Sequence, residues 1–425
     1  MFTISDSTAS RRDLLKIGAL SLGGLTLADL LACQSLAGEK SKLSTGKSVI
    51  FLFQQGGPSQ FETFDPKMSA PDRIRCVNGE TKTTIPGVTF GGSMTRLAKH
   101  AHRFNVVRSY QTSKGNHDIK PIVSSDSLNA NLGSLYSRIV GTTRPSGMPT
   151  NAAIFPNSID PTGPKVNNKF GKFASSGSLG DSYAPFVPGA DGQLQRNLKL
   201  NMKKDDLAQR RQLLAQLDML KRSLDKSVQA IDDYQAQALE VILGGVAEAF
   251  DLSKEDPKVV AKYDTSQFVA KDNWAKVSNG KRGSYTPHAK TLGKLLLLAR
   301  RLCEAGCGFV TVNTAFVWDM HADKNNLGVK EGMQAVGDAF DHAVSAFIED
   351  TEARGLRDQI MLVCTGEMGR TPKINKRGGR DGLRWRNEGR TGSRSVNQRW
   401  WTARDDARHV EKSDLDDHEY DARHR

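Results

Sequence analysis

Four short segments carry side chains that could do chemistry together. They are Trp318-Asp319-Met320-His321, Thr365-Gly366-Glu367-Met368-Gly369-Arg370-Thr371-Pro372, Lys114-Gly115-Asn116-His117-Asp118 and Gln54-Gln55-Gly56-Gly57-Pro58-Ser59-Gln60. Aspartate, glutamate and imidazole arriving from separate loops are the donors a divalent cation takes. Such an ion polarises an ester oxygen and activates a water or hydroxyl. A carboxylate in a single loop more often caps a turn or pairs with a cation. These segments are joined by a shared position, just beyond short strand-like runs and beside glycines that let backbones approach closely.

The elements that must position them can be read from the hydrophobic pattern. Ser48-Val49-Ile50-Phe51-Leu52-Phe53 is a near-continuous apolar run that stops at Gly56-Gly57-Pro58, as a strand buried on both faces does. Phe104 to Arg108 is a second strand candidate, and 110–200, rich in Gly, Ser, Asn and Pro, reads as loops with few regular elements. From Thr291 the chain alternates: helix to Ala305, strand Gly308–Asn313, helix Met333–Thr351, strand Asp358–Cys364. Strands alternating with helices predict a mostly parallel sheet covered on both sides, with ligands beyond the carboxyl ends of its strands. Between these parts, Leu207, Leu213, Leu214, Leu217, Leu220, Leu224, Val228 and Ile231 fall at spacings of three and four among charged residues. The 203–250 stretch is therefore expected to be a helical insertion packed on the core, a partner-binding helix being the alternative.

The first residues describe a route. Ser10-Arg11-Arg12-Asp13-Leu14-Leu15-Lys16 precedes an apolar stretch from Ile17 to Ala32, the layout of a twin-arginine export signal. The stretch is broken by Asp29 and falls short of the about 20 apolar residues a membrane span needs. Residues 1–37 are read as the signal region, with cleavage after Ser35-Leu36-Ala37, and the mature protein as periplasmic. Leu30-Leu31-Ala32-Cys33 could instead be a lipoprotein box, and membrane association is expected only if Cys33 is lipidated.

Composition narrows the rest. The 425 residues are 38% hydrophobic, enough for a large core. The net charge is +13, yet no basic block with interleaved aromatics is present, so nucleic acid is not an expected partner and anionic substrates are. Beyond Cys33 there are Cys76, Cys303, Cys307 and Cys364. No second pair or histidine set at zinc-finger spacing accompanies them, so they read as small buried thiols, with a disulfide left open.

Taken with Arg11-Arg12, the strings FLFQQGGPSQFETFDPK at 51–67, WDMH at 318–321 and TGEMGRTPKINKRGGRD at 365–381 make the chain resemble domain-of-unknown-function family 1501. That is a family of exported bacterial proteins related to the sulfatase and alkaline phosphatase superfamily. The resemblance runs from the signal to Asp381. It implies an α/β fold, a three-layer α/β/α sandwich with a mostly parallel sheet over 38–381, and metal-dependent hydrolysis of sulfate or phosphate esters. Carried over, Asp319 and His321 resemble the metal pair, Glu367 a third ligand or the group behind one, and His117 a further ligand. The metal would be a divalent ion, with zinc, calcium, magnesium and manganese not separated. The substrate would be an anionic ester, a sulfated or phosphorylated glycan or small molecule.

Two departures qualify the resemblance. The superfamily places a metal-binding Asp after the first strand, where Gln54 and Gln55 stand here, and it uses a nucleophile for which only Ser59 is at hand, a residue that may equally cap the following helix. The family also continues past Asp381 with His-Trp and a glycine-rich strand, whereas this chain continues Gly382-Leu383-Arg384-Trp385 into a charged tail, 382–425, without period. Read one base later through permitted codons, that tail yields text such as V-L-G-Q-S-T, and Trp400-Trp401, each with a single codon, force Gly-Gly. The expectation is a frameshift near residue 382 and a chain that lacks one expected histidine ligand. A non-catalytic binding or scaffold protein of the same fold is the rival reading.

Overall fold

The computed structural model describes residues 45–188, apart from a few single positions between 109 and 167, together with 247–268 and 279–382. The signal region, the tail from residue 383, and all of the 203–250 stretch except the helical turn Ala247–Phe250 lie outside the described residues. No helix among the described residues is long and apolar enough to cross a membrane.

The fold is mixed α/β. Strand β1 is Ser48–Phe53, followed by the helical turn α1, Gln60–Thr63. A small antiparallel hairpin, β2 (Glu80–Lys82) and β3 (Thr89–Gly91), leads to α2, Thr95–Lys99. Then come α3 (Leu132–Val140), β4 (Asn151–Ile154), the long α4 (Asn279–Glu304), β5 (Phe309–Asn313), α5 (Asp338–Ala353) and β6 (Ile360–Thr365). The main sheet has the order β4-β5-β1-β6, with every neighbouring pair parallel.

The apolar runs explain this arrangement. Successive side chains of a strand point to opposite faces, and β1 is apolar on both. Ile50 and Leu52 join one core with Leu295 and Leu298 of α4 and Phe340 and Val344 of α5. Phe51 and Phe53 join a second core with Ile119, Ile122, Phe155 and Phe173, against which Leu132 and Tyr136 of α3 pack. A strand buried on both faces needs neighbours on both edges, and β1 has β5 and β6 there. Phe53 stands opposite Asn313 of β5 and Thr365 of β6. The carboxyl ends of the three strands are therefore level, and their exit loops open side by side.

The helices behind the sheet are fastened by a buried ion cluster. Arg300 of α4, fully buried, contacts Glu255 at 2.6 Å, Glu304 at 2.7 Å and Asp350 of α5 at 2.9 Å. Asp350 also accepts the Tyr263 hydroxyl at 3.0 Å. A guanidinium offers five N–H donors, and spreading them over three carboxylates satisfies a buried charge.

Several expectations change. Phe104 to Arg108 is not a strand: Phe104 packs with Phe64 and Phe90 in an aromatic cluster, and Val107 is 38% exposed. Within 110–200 the few regular elements are α3 and the sheet strand β4, the second of which the sequence did not mark, along with short 3₁₀ turns. Helix α4 begins at Asn279, ahead of Thr291, and carries Pro287 within it. The helix expected over 333–351 opens with a π-helical turn at Met333–Gly337 before α5. Cys76, Cys303, Cys307 and Cys364 are buried free thiols, and burial pushes the Cys76 and Cys307 thiols up to about 12.

Candidate metal centre

The three level strand ends are stitched together by glycine and backbone contacts. Gln54 N–H donates to Thr365 O at 2.8 Å, and Trp318 N–H donates to Gln55 O at 3.2 Å. Gly56 sits at φ +119°, where a Cβ would lie 2.5 Å from Asp319 N. Only glycine lets the loop after β1 press this closely on the loop after β5. The Gly56 N–H then donates to Glu367, 2.8 Å from Oε1 and 3.1 Å from Oε2.

Onto this frame come His117, Asp319 and His321, whose donor atoms lie within 4.8 Å of one another. Asp319 Oδ1 is the shared point, 3.6 Å from His117 Nε2 and 2.7 Å from His321 Nε2. Each imidazole is held from behind by a carboxylate. His117 Nδ1 is 2.7 Å from Glu367 Oε1, and His321 Nδ1 is 3.0 Å from Asp381 Oδ1. A carboxylate on Nδ1 fixes the ring and turns Nε2 toward the cluster, the usual second layer of a histidine metal site. Glu367 is fully buried and stands behind His117, not beside Asp319.

Arg370 also reaches the centre, and it is buried. Its Nε donates to Gly57 O at 2.8 Å, one terminal nitrogen to Arg380 O at 3.2 Å, and the other to Asp319 Oδ1 at 2.6 Å and to Gly56 O. Its backbone is locked to the Gln60 side chain, with N–H donating to Oε1 at 3.0 Å and O accepting from Nε2 at 2.9 Å. A guanidinium so committed to protein acceptors braces Asp319 and has little left to offer an anion.

The electrostatics follow. Burial works against ionising Asp319, but the hydrogen bond from His321 and the charges of Arg370, His117 and His321 outweigh it and hold the carboxyl well below the usual range. The hydrogen bond to Asp319 raises His321 above the ordinary imidazole value, against burial, with Asp381 adding to the rise. His321 thus lies between two carboxylates that favour its protonated form, with the Arg370 guanidinium, 3.3 Å from Nε2, acting against them.

Two imidazole Nε2 atoms and one carboxylate oxygen are a donor set that fits a divalent transition ion. The 2.7 Å between His321 Nε2 and Asp319 Oδ1 is a hydrogen-bond length. Two ligands of one ion, each about 2.0–2.2 Å from it, stand roughly 3 Å or more apart. An ion held here would take the place of the shared proton, with this contact slightly longer.

Of the residues singled out in the sequence, His117, Asp319 and His321 come together and Glu367 supports them. Ser59 does not join them: its hydroxyl is buried, has no hydrogen-bond partner, and does not cap α1. Gln55 is buried with its Nε2 unpartnered. Sequence reasoning passed over Asp381, Arg370 and Asn375. Asn375 Nδ2 donates to His321 O at 3.0 Å and lies 3.2 Å from Asp381 Oδ1. All three stand within the 365–381 string, and the loop closes over His321 because Gly379 lies where a Cβ would be 2.1 Å from the His321 carbonyl carbon. Under the loop, fully buried Arg380 pairs with Glu62 of α1 at 2.8 Å while its N–H donates to Met320 O.

No curated protein and no solved structure matches the chain. Residues 46–384, the strands and loops that build this centre included, match the family described as protein of unknown function (DUF1501), and the chain belongs to that family.

Proposed function

We propose that this is an exported, metal-dependent hydrolase of sulfate or phosphate esters on an alkaline phosphatase-like three-layer α/β/α frame. The observation that carries the reading is the convergence of His117, Asp319 and His321 at level strand ends, each imidazole backed by a carboxylate. Apolar cores on both faces of a parallel sheet support the frame, and Ser10 to Lys16 with the apolar stretch after it supports export. A divalent ion held by the three residues would polarise the ester oxygen and lower the pKa of a bound water. Glu367 and Asp381 orient the imidazoles, and Arg370 holds Asp319 ionised. Ser59 lacks a hydrogen-bonded base, which leaves water as the nucleophile. The rival, a binding or scaffold protein that kept the fold without the chemistry, draws on Gln55 and Gly382 standing where the superfamily resemblance calls for ligands.

Metal analysis separates the two. The hydrolase reading expects about one divalent ion per purified chain, held by the His117, Asp319 and His321 cluster, and expects its loss in Asp319→Ala. No metal under any loading condition rejects it.

We also infer that the tail from about residue 382 is read out of frame. The forced Gly-Gly under Trp400-Trp401 supports this. The nucleotide sequence from codon 365 onward, read in three frames, decides it: a neighbouring frame encoding His-Trp followed by V-L-G-Q-S-T is expected, and its absence ends the idea.

A further inference from the structure

Beside the metal centre stands a pair of phenylalanines that the hydrolase reading does not use. The Phe170 and Phe316 rings are stacked, with centroids 5.1 Å apart and planes at 24°. His117 touches both, edge-on to Phe316 at 4.7 Å and tilted against Phe170 at 5.3 Å. Both phenylalanines are half-buried, as is His117. The placement is built in by the backbone. Phe316 follows β5 directly, three residues before Asp319. Phe170 ends a 3₁₀ turn, Asn168–Phe170. Gly171 after it adopts φ +136° where a Cβ would lie 2.6 Å from Ile119, which presses the turn against the segment that carries His117. Lys169, exposed, sets its ammonium over the Phe170 ring, 5.6 Å from the centroid.

Two near-parallel aromatic rings in partial contact with solvent offer a flat apolar surface on which another ring lies well. A cation beside the rings, carried on a long stem, draws an anionic group to the same place. Resting on the hydrolase reading, we propose that Phe170 and Phe316 form the subsite for the ring of the ester's organic part. The substrate class is then a sulfate or phosphate ester carried on a flat ring, whether an aryl ring or the C–H face of a sugar, with the anionic group directed to the His117 side. Simple alkyl esters are poor ligands on this view.

The test uses zinc-loaded full-length protein and calorimetric titration with phenyl phosphate, glucose 1-phosphate and ethyl phosphate, the corresponding sulfates in parallel. Ring esters are expected to bind about tenfold tighter than ethyl esters. Phe170→Ala should bring that ratio close to unity with zinc affinity unchanged, and Phe170→Leu, which keeps apolar bulk without the flat face, should lower it as well. Tightening for phenyl alone assigns an aryl ester, and for both rings the wider class. If zinc binds but ring and ethyl esters bind alike, or the ratio survives both variants, the subsite is rejected while the metal centre stands. If zinc does not bind at all, the hydrolase reading itself has failed.

Discussion

Glu367 Oε1 lies 2.7 Å from His117 Nδ1 across 250 positions of sequence, and the Gly56 N–H donates to the same carboxylate. One buried side chain thus ties the loop after β6 to the loop after β1 and to the segment that supplies an imidazole. The centre belongs to the assembled sheet and to no single motif.

Glu367→Ala should therefore weaken metal binding without removing a ligand. Loss of a carboxylate behind a metal-binding histidine lowers affinity about 10–100-fold. Competition against a chromogenic chelator measures it, with circular dichroism confirming the fold. Unchanged affinity would show that His117 is held by its aromatic neighbours alone.

The Glu62–Arg380 pair should matter to stability out of proportion to its size. Both side chains are fully exposed to protein and not to water, and Glu62 Oε2 also accepts from Val77 N–H at 3.0 Å. Glu62→Gln leaves a buried guanidinium without its counter-charge, a loss of about 3–5 kcal/mol. Denaturant unfolding should show that loss, with Glu62→Gln/Arg380→Met recovering part of it. A single variant as stable as the parent refutes the role.

Much of this architecture is visible in the sequence. The run Ser48–Phe53 is long, apolar and bounded by Gly-Gly-Pro, and it became β1 with the same ends. The runs feeding β5 and β6 were equally plain. Strand β4 was not, because Asn151-Ala152-Ala153-Ile154 is short and small and takes its place only by pairing with β5. Phe104 to Arg108 misled because apolar residues in extended backbone also serve a cluster of rings. Helix α4 starts before Thr291 because its packing on α5 and the sheet carries the helix through Pro287, ahead of the leucine-rich part that was plain in the sequence. In the centre, Asp319 and His321 beyond β5 could be read directly, whereas His117 was singled out beside a strand that does not form. The roles of Arg370 and Asp381 could not, since each depends on which loop its neighbour closes over.

Two carboxyls on α5 give a pH signature. Burial pushes Asp338 up to about 6 against a hydrogen bond from Ser93, and pushes Asp341 up to about 6 against the N–H groups of Leu97 and Arg96. A carboxyl that holds its proton more tightly when folded adds stability below its ordinary value near 3.8 and loses that contribution as pH rises through 6. Asp338→Asn should flatten the fall in stability between pH 4 and 6 relative to the parent. At pH 7 it should gain ~1 kcal/mol, discounted for partial exposure. Asp341→Asn is a poor substitute, because Asp341 accepts the Arg96 and Leu97 N–H groups at 2.9 and 2.8 Å. Urea midpoints at three pH values settle the matter, and parallel curves for Asp338→Asn and parent would refute it.

The order of strands in the sheet also sets a timetable for synthesis. β1 is made early, yet its neighbours in the sheet are β5 and β6, the last strands among the described residues. A ribosome adding about 5–20 residues per second needs on the order of tens of seconds to reach β5. Through most of that interval the segment Val-Ile-Phe-Leu-Phe lacks its edge partners and the helices that bury Ile50 and Leu52, and only α3 and the residues around it are at hand for the face of Phe51 and Phe53. The sheet that β1 centres is completed only once translation has passed residue 365.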